Sequence, residues 1–223
     1  MDKEYEIKSD VNIWRGCILA CIAHAIMVAH YPELSHEHSW DGINYCVQNS
    51  AGIRGTVSFK NNYCVAAFRN DNSGRRINTF GYTYASDYFK NANAEIVELA
   101  ETETLQYLLD YVDGQPKPVI TAGFWGYESL LFSIDDYDEM LRNGGCLLDR
   151  QMMDVEQAIS SWKVYYGMSE QQLCLLKSIY VQKIENPTKQ IVLSKAEIEM
   201  IGIADEHGLD ESRISFEEIN IKI

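Results

Sequence analysis

HEHSWDGINYCVQNSAGIRGTVSFKNNYCVAAFR, residues 36–69, is the stretch whose pattern decides the fold class. From Ile43 to Gln48 apolar and polar residues alternate with period two, which puts one set of side chains on one face of a strand. Gly52 and Gly55 are read as a turn. Beyond them Thr56–Phe59 and Tyr63–Phe68 are rich in β-branched and aromatic residues, and Lys60-Asn61-Asn62 between them supplies the left-handed conformations that asparagine tolerates. The pattern predicts an antiparallel three-strand meander over residues 43–69. A further alternating run from Ile77 to Tyr84 extends it to 84. Trp40-Asp41-Gly42 is read as the tight turn that leads into it.

Working outward, residues 13–31 are the most hydrophobic run of the chain, with Asp10 and Asn12 as helix caps and Pro32 as the stop. Their uninterrupted apolar part contains His24 and is shorter than the roughly 20 residues that span a bilayer, so a helix buried in a protein core is expected, with no membrane span. Residues 94–112 carry apolar side chains at helical spacing. After Gln115-Pro116-Lys117-Pro118, Val119–Phe124 reads as a strand and Asp135–Glu139 opens a short helix ending at Gly144-Gly145. Asp154 caps a helix over 155–166. Ser169 with Gln172, and Ser194 with Glu197, form capping boxes for helices over 170–184 and 195–207, the latter stopped by Gly208. Residues 190–193 and 214–223 are short strands. The expected architecture is α+β: an antiparallel sheet packed on the buried N-terminal helix and surrounded by helices of the C-terminal half, in a single domain over 1–223, with residue 115 as the place where it would subdivide.

The formal net charge is −14, unevenly spread. Residues 51–90 carry six Lys/Arg against two Asp/Glu, whereas residues 91–223 carry ten against twenty-four. Such a field repels nucleic-acid phosphates and attracts a basic protein. The carboxylates assigned to that contact are Glu95, Glu98, Glu101, Glu103, Asp110, Asp113, Asp135, Asp136, Asp138 and Glu139. Arg69, Arg75 and Arg76 flank the Asp71–Gly74 loop and are the residues that would meet a small anion. Six cysteines without a repeated spacing point to a reducing compartment, and the acidic, polar N-terminus does not resemble a secretory leader, so the cytoplasm is expected.

Catalytic signals are incomplete. Cys17 near a helix N-terminus is a candidate thiolate nucleophile with His36 or His38 as base. Cys17, Cys21 and His24 share one helix face but lack the second ligand pair of a zinc site. His36-Glu37-His38 begins like a metal-hydrolase ligand set, yet Trp40 and Asp41 stand where further ligands would come. Gly144-Gly145 lacks the rest of a phosphate loop. No cofactor or metal is expected. The sequence therefore points to a non-enzymatic acidic binding module, concretely a bacterial immunity protein that neutralises a basic toxin such as a nuclease. The alternatives are a cysteine- or metal-dependent hydrolase using Cys17 or His36/His38, and a sensor of a small anionic ligand.

Overall fold

The computed structural model describes residues 4–8, 12–76, 84–127 and 130–223. Its architecture is α+β. Strands β1 (Tyr5–Lys8), β3 (Asn44–Gln48), β4 (Ile53–Lys60), β5 (Tyr63–Asn70), β8 (Ala122–Tyr127) and β9 (Leu130–Ser133) form an antiparallel sheet in the order β1-β9-β8-β5-β4-β3; β2 (His38–Asp41) is a further short strand, β6 (Leu109–Val112) and β7 (Gln115–Pro118) form a separate hairpin, and β10 (Ile191–Val192) pairs with β11 (Ile221–Lys222). The helices are α1 (Ile13–Met27), α2 (Ala94–Thr102), α3 (Tyr137–Arg142), α4 (Val155–Tyr166), α5 (Glu170–Glu185), α6 (Lys195–Ile201) and α7 (Glu206–Glu218). Among the described residues no helix is long and apolar enough to cross a membrane.

The chain groups into two compact units, Met1–Val11 with Asp41–Asp149, and Asn12–Trp40 with Arg150–Ile223. In the first, the expected meander is present. β3 pairs with β4 from Asn44↔Ser58 to Gln48↔Arg54, and β4 with β5 from Ile53↔Asn70 to Lys60↔Tyr63. The tight β4–β5 connection holds Asn61 at φ 55°, the conformation asparagine tolerates. Gly55 belongs to no turn: it sits inside β4 opposite Phe68, whose ring would lie 2.4 Å from any Cβ there. A missing side chain in mid-strand marks a close approach, and here the aromatic ring fills the space. The alternating run 77–83 lies outside the described residues. One face of the sheet, with Val65, Ala67 and Trp125, packs against Phe89, Ile96, Leu99, Leu105 and Leu108 from α2 and the 3-10 turns around it.

In the second unit α1 is the central helix. Twelve of its fifteen residues are buried, which leaves it no solvent stripe and explains why its apolar residues keep to no helical period. Asn12 caps it by accepting from the Arg15 amide. It neighbours α4, α5 and α7. Contacts at its C-terminal end are polar and specific. Ser212 Oγ donates to the Ala25 carbonyl at 2.6 Å, and His30 Nε2 and Gln172 Nε2 both reach the Ile201 carbonyl at 2.8 Å.

The expected helix over 195–207 is two elements. α6 ends at Ile201, where Gly202 adopts φ 104°, and α7 begins after Asp205, whose side chain accepts from the Gly208 amide at 2.8 Å. Gly208 is thus an interior residue of α7 and not a stop. α7 runs on to Glu218, so the final strand contracts to Ile221–Lys222.

Candidate functional site

The helix expected over 94–112 stops at Thr102, and residues 103–118 build a cleft beside it. Glu103 breaks the helix at φ −125°, ψ −78°; a 3-10 turn covers Thr104–Leu108; then β6 and β7 form a hairpin joined by Asp113-Gly114. Both turn residues have positive φ, 53° and 76°, as the tightest hairpin connection requires. Glycine enters that region without the Cβ penalty, and aspartate is among the few other residues that tolerate it.

Between this hairpin, α2 with its 3-10 extension and the 3-10 turn Ala85–Phe89 lies a cleft of ≈ 580 Å³. Its buried and half-buried lining is apolar: Ala85, Leu105, Val112, Pro118 and Val119. Ala85 and Leu105 also belong to the core of the unit, so the cleft opens onto packed structure. Its exposed lining is polar, with Glu101, Asp113 and Lys117 beside Tyr84, Ser86 and Gln106. Asp113 is 88% exposed and lies 4.0 Å from the half-exposed Lys117. Volume and an apolar lining with a few polar groups are the features of a binding site.

The structure sorts the ten candidate carboxylates by what surrounds them. Glu95 accepts from the Tyr63 hydroxyl at 2.5 Å and Glu103 from Asn44 Nδ2 at 2.9 Å. Asp110 pairs with the buried Arg69 at 2.7 Å. Asp135 takes both terminal nitrogens of Arg75 at 2.6 and 3.0 Å, Glu139 pairs with Arg75 and Arg142, and Asp136 caps α3. Glu98, Glu101 and Asp138 are exposed and make no side-chain ion pair among the described residues. Glu98 and Glu101, three apart on α2, are neighbours on its surface, and Glu101 lines the cleft.

Two of the three arginines considered for a small anion, Arg69 and Arg75, are occupied. Arg69 bonds Asp71 and Asp110, each at 2.7 Å. Arg75 is partly buried, which opposes its charge, but the Asp135 carboxylate outweighs this and raises its pKa. The Arg76 side chain lies outside the described residues. Asp135 is only 11% exposed, so Arg75→Ala leaves it a charge with little solvent. The expected loss lies between that of an exposed and a buried pair, about 2 kcal/mol by chemical denaturation. Arg142→Ala, breaking a pair whose arginine is 65% exposed, is expected to cost less than about 0.5 kcal/mol.

The catalytic candidates lie in the second unit. Cys17 is 0% exposed and His36 is exposed. His38 is buried, with its ring centroid 5.1 Å from that of His24 and 5.5 Å from that of Trp162. Burial drives the pKa of His38 well down, and the charges of His24 and Arg150 add to this. His24 shares a 3.2 Å hydrogen bond with the Tyr166 hydroxyl, and Arg150 stacks over Trp162 and Tyr165 at 5.0 and 4.3 Å. Among the described residues no group of three His, Cys, Asp or Glu side chains has the arrangement of a metal site.

Several cleft residues carry no signal in the sequence as read by period alone, since Val112 and Val119 lie where helix and strand were expected. The Asp113-Gly114 pair is the signal that locates them, because it places a hairpin where the apolar spacing suggests continuing helix. No protein-family model matches the chain, and comparison with curated proteins and with solved structures gives no match.

Proposed function

We propose that this chain is a non-enzymatic acidic module that binds a basic protein, in its most concrete form a bacterial immunity protein neutralising a basic toxin such as a nuclease. The observation that supports the reading is the pair Glu98 and Glu101: exposed, adjacent on α2, and answered by no cation among the described residues of their unit. That unit holds ten Lys/Arg against nineteen Asp/Glu, a balance of −9, compared with nine against fourteen in the other. Charge complementarity of this kind steers encounter and selects partners.

Less supports the two rival readings. A hydrolase would use Cys17 or the His36/His38 pair; Cys17 and His38 are buried, and His36 alone of the three is exposed. A small-anion sensor would use Arg69, Arg75 and Arg76, and carboxylates already take Arg69 and Arg75.

Recovery from a native lysate tests the proposal. A basic protein should be retained on the immobilised chain at low salt and released at high salt, because exposed charges are screened. Recovery of no basic protein under either condition overturns it.

A further inference from the structure

Resting on the acidic-face reading, we infer that the cleft between α2 and the β6–β7 hairpin receives an apolar side chain of the basic partner, so that the occupant is a peptide segment with a large apolar residue flanked by lysine or arginine.

Two features meet in one place. The interior of the cleft is apolar, from Leu105, Val112 and Val119, and its described lining has no buried carboxylate or side-chain amide to hold a polar group. Its mouth carries Glu101 and the 88% exposed Asp113, with Glu98 on the next turn of the same helix. An apolar ligand without charge would use the interior and ignore the mouth; a polycation without an apolar residue would do the reverse. A segment that joins the two satisfies both, since the buried side chain supplies affinity and its flanking cations supply register and rate. Lys117 faces Asp113 at 4.0 Å and is not paired with Glu98 or Glu101.

Short synthetic peptides test this with the whole chain, read by fluorescence anisotropy at low salt. One carries a central leucine–phenylalanine pair between lysines, the second has alanines in place of that pair, and the third keeps the pair but has serines for the lysines. The first should bind at least about tenfold more tightly than either twin, the difference expected from burying one apolar side chain or losing several attractions. Ser86→Trp, from the exposed lining, should bring the first peptide to within about twofold of the alanine twin by filling the cleft, without changing the twin. Gln106→Trp does the same from another wall, should the first variant fold poorly.

Equal binding of the first two peptides, unaffected by either tryptophan, overturns the cleft assignment and leaves the acidic-face reading standing. Equal binding of the first and third makes the site purely apolar and also overturns it. If no peptide binds the unaltered chain, the cleft assignment fails, and recovery of a basic protein from the lysate still decides the acidic-face reading.

Discussion

Gly208→Ala should destabilise the chain by about 3 kcal/mol or more. Gly208 lies in the first turn of α7, where an added Cβ would stand 2.0 Å from the Ala29 carbonyl oxygen and 2.9 Å from its carbon. Those atoms are backbone, immediately beyond a helix buried on nearly its whole circumference, so they cannot swing aside as a side chain would. α7 would have to move as a body, lengthening the 2.6 Å bond from Ser212 to the Ala25 carbonyl on its way. Alanine is otherwise the better helix residue, worth about 1 kcal/mol over glycine, so propensity alone predicts stabilisation. The sign of the measured change therefore decides between local preference and close packing. His207→Ala, one residue away and exposed, should shift the denaturation midpoint little, within about 0.5 kcal/mol.

Acid should weaken the second unit through its buried imidazoles. Burial lowers the pKa of His24 from 6.5 to about 4; the Ser35 backbone opposes this and the charge of His36 adds to it. His38 is displaced in the same direction by burial and by His24 and Arg150. The groups around them are Tyr166, bonded to His24, the Arg150 guanidinium over Trp162 and Tyr165, and Glu37, which accepts from Tyr165 at 2.9 Å. Burial outweighs the Ser35 backbone at His24 and is reinforced by charge at His38, so both rings favour the neutral form in the folded chain over a pH range in which they would be charged in the unfolded one. Between the unfolded pKa of 6.5 and the folded value of about 4 the unfolded state holds more protons, so stability is complete above this window and falls as pH falls through it. For His24 alone the loss amounts to about 3 kcal/mol. His24→Gln removes that titration, and its stability should fall less steeply than the wild type's between those two values. Superimposable acid limbs for the two proteins would contradict the assignment.

Signals were legible in the sequence where their cause is local. The meander was readable because period-two alternation and the Asn61 turn are contained within a few residues. Asn12, Asp154, Ser169 and Ser194 were readable as caps for the same reason, since a side chain there answers an amide three residues on. Gly55 and Gly208 were misread because their reason is tertiary: one faces the Phe68 ring, the other the Ala29 carbonyl. Stretch 103–112 was misread because its apolar spacing suits a helix until Asp113-Gly114 reverses the chain. At the site, charge was legible and its disposition was not. Composition could not tell Glu98 and Glu101, which face solvent, from Asp135 and Asp110, which are occupied by Arg75 and Arg69.

The most direct measurement of the central claim is the affinity of the captured basic partner, or of the lysine-flanked peptide, for the Glu98→Lys/Glu101→Lys double variant as a function of salt. Both sites are exposed, so the fold should survive, and the reversal should weaken binding by about tenfold or more at low salt, with a shallower dependence on ionic strength than the wild type. An affinity and salt dependence unchanged by the reversal would contradict the claim that this acidic face makes the contact.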